Sequence, residues 1–183
     1  TDQHSLLALR RGPDSSDRFP QDVLELQALL GPPQENQAIH AIPGEDTNVP
    51  LWILGSSLYG AQLAAMLGLP YAFASHFAPQ ALMQALTIYR ERFKPSAQLS
   101  EPYVIVGCNV IVADTDESAK RLFTTPQQQF TRMVRGTRGQ LPPPIDDIEN
   151  FWSPMEKEQA SSMLSCSFYG ARATIKAKIA PLI

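Results

Sequence analysis

Residues 50–65 read P-L-W-I-L-G-S-S-L-Y-G-A-Q-L-A-A and give the clearest indication of the fold. Their apolar run at residues 51–54 follows a proline and is typical of a short buried strand. The run ends at a glycine and two serines, residues 55–57, and a helical pattern begins directly afterwards. The stretch therefore predicts a strand, a turn of small residues and the first turn of a helix.

The turn has two interpretations. The first N–H groups of a helix have no partner within the helix, and its positive dipole end favours negative charge, so a phosphate would fit there. Gly55 would allow close approach, and Ser56 and Ser57 would add hydroxyl hydrogen bonds. The other interpretation is an ordinary strand–helix turn with a serine N-cap. The local sequence leaves both open and, taken alone, favours the ordinary turn.

Strands and helices alternate beyond this stretch. The predicted strands are continuously apolar, which favours a parallel sheet covered by helices, and their separations suit right-handed crossovers. The periodicity leaves a (β/α) barrel and a doubly wound open sheet both open. The pattern predicts strands at 51–54, 71–77 and 103–113, and helices at 58–67 (ended by Gly68), 78–93 and 114–134.

The flanking segments are less regular. Helices are predicted at residues 4–11 and 20–30, a short strand at 39–42, a helix start at Ser153-Pro154 and a last helix at 171–183. The segment 135–144 carries Arg135, Arg138 and three consecutive prolines, so it is predicted to be neither helix nor strand. A binding loop or lid and a solvated linker are equally compatible with it.

Composition excludes several classes of protein. The 183 residues are 44% hydrophobic and 18% charged, which is typical of a globular protein. A net charge of −3 gives no electrostatic footprint for nucleic acid or an anionic membrane. No apolar run approaches the roughly 20 residues that a membrane span requires. Residues 1–4 are polar, unlike a signal peptide, so we expect a cytoplasmic protein.

Cysteine and histidine positions argue against a metal site. Cys108 and Cys166 lie far apart in apolar surroundings, so we predict two buried thiols in a reducing compartment. His4, His40 and His76 are too scattered in the sequence to predict metal ligation.

Five stretches together resemble the luciferase-like, flavin-dependent monooxygenases of the bacterial luciferase family. They are R-F-P-Q-D-V-L-E-L at 18–26, the opening stretch at 50–65, L-G-L-P-Y-A-F-A-S-H-F-A-P at 67–79, E-P-Y-V-I-V-G-C-N-V-I-V-A-D-T at 101–115 and S-F-Y-G-A-R-A-T-I at 167–175. The agreement is ordered and covers essentially the whole chain, so it is more specific than any single motif.

The resemblance implies a TIM-barrel fold, in which a full barrel takes about 250 residues. We therefore expect residues 1–183 to form a single partial barrel domain, the C-terminal half of a longer protein, with strands five to seven at 51–54, 71–77 and 103–113. Strands one to four and eight are expected to be absent, with the last helix preceding strand eight. Residues 135–152 are expected to be an insertion after strand seven.

The resemblance also implies a flavin site. The family holds the flavin phosphate in the loop after strand five, which corresponds here to Gly55, Ser56, Ser57, Leu58, Tyr59 and Gly60. Some relatives have an acidic residue, serines and a threonine across this turn. Ser56, Ser57, Tyr59 and Gly60 stand there in this sequence, so backbone N–H groups are expected to replace a side-chain contact. The cofactor implied is reduced FMN rather than the deazaflavin F420, because the sequence most resembles the family's small uncharacterised oxidoreductase branch, which favours FMN.

Four further residues are candidates for the site or its surroundings. His76, at the end of the second strand, is a candidate catalytic residue that hydrogen-bonds the flavin ring or assists a proton transfer, and a structural histidine is equally compatible. Asn109 is predicted to make a core hydrogen bond rather than contact a ligand. Phe151 and Trp152 are predicted to pack rather than to line a substrate pocket.

The function implied is that of an oxidoreductase using reduced flavin and O₂ on an unknown small organic substrate, the chain alone being inactive. A flavin reductase is a compatible partner, and a homodimer is a state open to the full-length protein. Two alternatives remain, namely a non-catalytic flavin-binding relative and a non-flavin α/β domain that binds another phosphate ligand through the same turn.

Overall fold

The computed structural model describes residues 7–8, 17–137 and 139–182 of the chain. The chain divides into two compact units, Thr1–Leu51 and Trp52–Ile183. The helix predicted at 4–11 falls almost entirely outside the described residues, as does Arg138. The single partial domain over residues 1–183 stays a prediction.

The first unit contains helix α1, Phe19–Leu30, with Pro20 in its first turn and Val23 as its buried residue. The backbone after α1 folds back onto the end of the helix, where the Asn48 N–H donates to the Leu30 carbonyl at 2.8 Å. The strand predicted at 39–42 is wrong, because this segment is irregular and enters a turn. Its carbonyl at Ala41 accepts from local N–H groups rather than from a neighbouring strand.

The second unit alternates strands with helices. Its strands are β1 (Ile53–Gly55), β2 (Tyr71–Phe73), β3 (Val104–Val106), β4 (Asn109–Ala113) and β5 (Ser167–Ala171). Its helices are α2 (Leu58–Leu67), α3 (Leu82–Arg92, after a 3₁₀ turn at Pro79–Ala81), α4 (Asp116–Val134), α5 (Pro154–Met163) and α6 (Arg172–Ile179), the last followed by a 3₁₀ turn at Ala180–Leu182.

The strands pair in parallel, as predicted. One sheet has the order β1-β2-β3, with Ile53 opposite Tyr71 and Tyr71 opposite Val104, and a second pair joins β4 to β5. Parallel neighbours linked by helices form an α/β fold. Closure of these strands into part of a (β/α)₈ barrel stays a prediction.

Three strand predictions need correction. The strand at 71–77 ends at Phe73, because the Phe77 N–H donates to the Ala74 carbonyl and closes a turn. The run 103–113 is two strands, interrupted at Gly107-Cys108, the first pairing with β2 and the second with β5. No strand was predicted at Ser167–Ala171, where β5 forms along β4 and the last helix follows it.

The core of the second unit lies between the three-stranded sheet and helices α2 and α3. Tyr71 and Tyr89 are fully buried there, with ring centroids 5.5 Å apart. Gly68 ends α2 in the left-handed conformation with φ of 64°, as its C-cap position predicts. A Cβ at this glycine would lie 2.6 Å from the Ser96 Cβ, so only glycine fits between the helix end and the segment after α3.

The segment after α4 packs along that helix. Thr125 donates to the Pro142 carbonyl at 3.0 Å, and the Gln128 side chain donates to the Pro143 carbonyl at 3.0 Å. Apolar side chains then form a satellite cluster of Ile148, Trp152 and Ala160, joined by Phe130, Ile145 and Phe151. The described residues of the predicted insertion form no helix or strand, yet they are tied to α4 by these contacts.

An ion pair joins the C-terminal end of α4 to α5. The Arg135 guanidinium donates to both carboxylate oxygens of Glu156, at 2.7 and 3.0 Å. Glu156 also closes a capping box with Ser153, accepting the Ser153 N–H at 2.7 Å. Hydrogen bonds from Arg135 and from the Ser153 backbone lower the pKa of Glu156 to about 2.

This pKa predicts a pH dependence of stability. Because the Glu156 pKa is lower in the folded state than its ordinary 4.5, the carboxylate stabilises the fold above pH 4.5, and this contribution is lost as the pH falls towards 2. We expect Glu156→Gln to flatten the fall in the free energy of unfolding over that range, measured by urea denaturation at successive pH values. Glu158→Gln, an exposed position on the same helix, is the control and should keep the wild-type slope. Identical slopes for wild type and Glu156→Gln would contradict the prediction.

Candidate functional site

The turn after β1 is built differently from an ordinary serine-capped turn. Strand β1 ends at Gly55, and α2 begins at Leu58 with Ser57 as its extended N-cap residue, at φ −137° and ψ 167°. The Ser57 side chain makes no capping hydrogen bond, although serine commonly does so at this position. Ser57 is exposed, so its hydroxyl is free to contact a ligand. The predicted serine cap is not formed, and the helix end keeps its free donors.

Those donors suit an anion. The N–H groups of Leu58, Tyr59 and Gly60 belong to the first turn of α2 and have no acceptor within the helix. No charged side chain occurs among residues 55–60, so an anion here would be held by N–H groups, hydroxyls and the helix dipole. The absence of a carboxylate from the turn also removes a source of repulsion.

Tyr71 forms the floor of the turn, a role that the sequence did not reveal. Its hydroxyl donates to the Ser57 carbonyl at 3.2 Å. A Cβ on Gly60 would lie 3.4 Å from the Tyr71 ring and 3.7 Å from the Gly55 Cα, so the two glycines pack closely above the ring. Burial raises the pKa of Tyr71 to about 12, so its hydroxyl stays protonated well above neutral pH. The sequence shows only that a tyrosine begins the next strand. Its contact with the turn can be recognised only once the pairing of Ile53 with Tyr71 is known.

Hydrogen bonds join the turn to the ends of β2 and β3. The Ala74 N–H donates to the Gly55 carbonyl at 2.9 Å, and the Gly107 N–H donates to the Phe73 carbonyl at 3.0 Å. The buried Ser75 hydroxyl donates to the Gly107 carbonyl at 2.6 Å. Residues 55–57, 74–76 and Gly107 therefore lie together at the carboxyl ends of three parallel strands, the edge where α/β folds place ligands.

His76 lies at this edge and is exposed. Its imidazole Nδ1 occupies the space that a Cβ at position 107 would need, so only glycine fits there. The His76 carbonyl accepts from the Asn109 side chain at 2.9 Å. The position is compatible with a ligand contact, and the catalytic role of His76 stays a prediction.

The remaining candidates are structural. The Asn109 amide donates to the His76 carbonyl and to the Ser167 hydroxyl, at 2.9 and 3.0 Å, which confirms its predicted hydrogen-bonding role. Phe151 and Trp152 belong to the satellite cluster, which confirms that they pack. A cleft of about 370 Å³ is lined by Trp152 and Tyr169, by parts of α4 and α5, and by Asp146, Ile148 and Glu149. Residues 55–60 and His76 do not line it.

The prediction that Cys108 and Cys166 are buried thiols is wrong. Cys108 is exposed and Cys166 is only partly buried. Each comes directly before one strand of the β4–β5 pair, so they are neighbours in space despite their separation in sequence.

No group of three metal-ligating side chains occurs in the part of the chain that the structure describes. In that same part, no helix is long and apolar enough to cross a membrane.

Comparisons with known proteins agree with this architecture. Residues 11–174 match the family model of the luciferase-like monooxygenases. The chain is 49% identical over 177 residues to a protein of Escherichia coli strain K12 named luciferase-like monooxygenase, and 45% identical over 180 residues to the uncharacterised protein YvbT of Bacillus subtilis. These alignments cover 96% and 98% of this chain but only 53% and 54% of the relatives.

A solved structure has the same fold. The crystal structure of apo-MsnO8 superposes with a TM-score of 0.79 at 28% identity, covering 100% of this chain and 55% of that protein. The chain thus spans about half the length of the relatives it matches, in sequence and in structure. Because the family match extends over nearly the whole chain, the chain belongs to the luciferase-like monooxygenase family.

Proposed function

We propose that the full-length protein containing this chain is a flavin-dependent monooxygenase that uses reduced FMN and O₂ on a small organic substrate. Membership of the luciferase-like monooxygenase family is the observation that carries the proposal. We further propose that the chain is the C-terminal half of a TIM barrel and that the turn at residues 55–60 holds the FMN phosphate.

The residues of the turn fit a phosphate. The site offers the N–H groups of Leu58, Tyr59 and Gly60, the uncapped hydroxyl of Ser57 and the positive end of the α2 dipole. No acidic side chain occurs within the turn. The hydrogen bond from Tyr71 to the Ser57 carbonyl holds the loop in place, which reduces the ordering that binding would require.

The flavin would supply the redox chemistry with O₂, and the protein would bind, orient and shield it. In this scheme the turn at residues 55–60 anchors the phosphate end of the cofactor. His76, which follows the neighbouring strand β2, would hydrogen-bond the ring or hold a proton through its imidazole. Gly107 leaves the space that this imidazole occupies.

We expect the 183-residue chain alone to show little or no flavin-dependent oxygen consumption. Its relatives are about twice as long, and in our proposal the missing half supplies much of the flavin pocket. An oxygen-electrode assay with enzymatically reduced FMN would compare the chain with the full-length protein, taking FMN without protein as the background. Robust, protein-dependent substrate oxidation by the chain alone would contradict this expectation.

Two alternatives have distinct outcomes. A non-catalytic flavin-binding relative would bind FMN in the full-length protein without oxygen-dependent product formation. A domain that binds another phosphate ligand through the same turn would prefer sugar phosphates to FMN in a competition titration. Binding of F420 in place of FMN would be consistent with the same family but would replace FMN as the proposed cofactor.

A further inference from the structure

Two cysteines directly precede the paired strands β4 and β5. Asn109 lies opposite Ser167 in the parallel register, and Cys108 and Cys166 each come one residue earlier. The Asn109 N–H donates to the Cys166 carbonyl at 3.1 Å, so the ladder of hydrogen bonds extends to Cys166. The two cysteines are therefore opposed across neighbouring strands.

This placement suits a disulfide. Opposed residues in neighbouring strands lie about 4.7–4.9 Å apart, and disulfides join Cα atoms about 4.4–6.8 Å apart. Opposed residues also point to the same face of a sheet. No large movement of either strand is needed to bring the two sulfur atoms together.

The two thiols differ in environment. Cys108 is exposed, so a small oxidant reaches it directly, whereas Cys166 is partly buried. Burial raises the pKa of the Cys166 thiol, the Ser75 hydroxyl offsets part of that rise, and the nearby Cys108 thiolate adds to it. The proximity of the two cysteines follows from the register of the two strands that they precede.

We infer that Cys108 and Cys166 form a peroxide-sensitive dithiol that closes to a reversible disulfide between β4 and β5. The Cys108 thiolate attacks one oxygen of hydrogen peroxide, breaks the O–O bond and becomes a sulfenic acid, releasing one water after protonation. The Cys166 thiolate then attacks that sulfur and displaces the second water as the S–S bond forms. Two thiols are oxidised and one peroxide is reduced to two waters.

The test uses the purified chain and needs no flavin. One equivalent of hydrogen peroxide is expected to lower the free thiols from two to none per chain, with both regained after dithiothreitol. Peptide mapping without reduction should show one Cys108–Cys166 cross-link. In Cys166→Ser, Cys108 should instead be trapped as a sulfenic acid by dimedone. In Cys108→Ser, we expect loss of the remaining thiol to be about tenfold slower, as its partial burial limits access.

A shifted thiol provides the matched control. Cys166→Ser combined with Ser165→Cys keeps two cysteines but moves one to the preceding exposed position, which does not oppose Cys108. That variant should form no intramolecular cross-link. The inference is overturned if the wild-type chain keeps a Cys166 thiol after Cys108 has been oxidised, if only cross-links between chains appear, or if the shifted variant closes as readily as wild type.

Discussion

Replacing Ser57 with aspartate should weaken FMN binding by the full-length protein about 100-fold while leaving the fold intact. The added carboxylate would stand at the phosphate position that we propose, and a loss of about 2–3 kcal/mol corresponds to that factor. Aspartate is as good an N-cap residue as serine and favours a helix N-terminus, so α2 should keep its stability. Fluorescence titration with FMN and with riboflavin would measure the effect. Riboflavin has no phosphate, so its affinity should change far less.

Ser153→Asp is the matched control. Ser153 is also an exposed N-cap residue, at the start of α5, and the substitution adds the same charge at a different helix end. It should leave FMN affinity unchanged. The phosphate assignment would be abandoned if Ser57→Asp bound FMN as wild type does, or if FMN and riboflavin were weakened equally. It would also be abandoned if Ser57→Ala combined with Gly60→Ala left FMN affinity unchanged.

Removal of the Tyr89 side chain should cause a large loss of stability. Tyr89 is fully buried on α3, its ring packs against Tyr71 and Phe93, and its hydroxyl donates to the Leu69 carbonyl at 2.9 Å. The same hydroxyl accepts the Tyr103 N–H at 3.2 Å, so one side chain joins a helix to the segments that begin β2 and β3. We expect Tyr89→Ala to lower the free energy of unfolding by about 3–5 kcal/mol.

Tyr89→Phe separates packing from hydrogen bonding. The variant keeps the ring but leaves the Leu69 carbonyl and the Tyr103 N–H without this partner, so we expect a loss of about 1–3 kcal/mol. Urea denaturation followed by circular dichroism would measure both variants. Tyr103→Phe is the control, since Tyr103 is exposed, and it should change stability by less than about 0.5 kcal/mol. Wild-type stability in Tyr89→Phe would show that the hydroxyl contributes nothing.

Local signals predicted much of the fold. Helix α2 has the predicted bounds, and the left-handed C-cap at Gly68 follows from a glycine placed directly after an apolar helix. The sequence also predicted a helix start near Thr115 and another at Ser153-Pro154, and in the structure each of these two residues caps its helix by binding a backbone N–H only three residues away. Such signals act within one turn of helix and can be read without knowing the tertiary structure.

The candidate site was predicted only in part. Residues 55–57 could be recognised as a turn between a strand and a helix, and the family resemblance suggested the anion. The missing cap at Ser57 and the Tyr71 floor could not be predicted, because each depends on how the turn packs against a strand that follows it in the chain. The partners of His76 were hidden for the same reason, since Gly107 and Asn109 belong to the next strand segments.

Sequence patterns alone predicted the alternation of strands and helices, the bounds of α2 and the family to which the chain belongs. The tertiary structure alone decided that the run 103–113 breaks at Gly107, that Ser167–Ala171 forms a strand and that Cys108 meets Cys166. The physical reason is the range of the interactions. Helix caps and apolar periodicity act between residues a few positions apart, whereas strand pairing brings together residues that are distant in the chain and fixes their register only when both strands are in place.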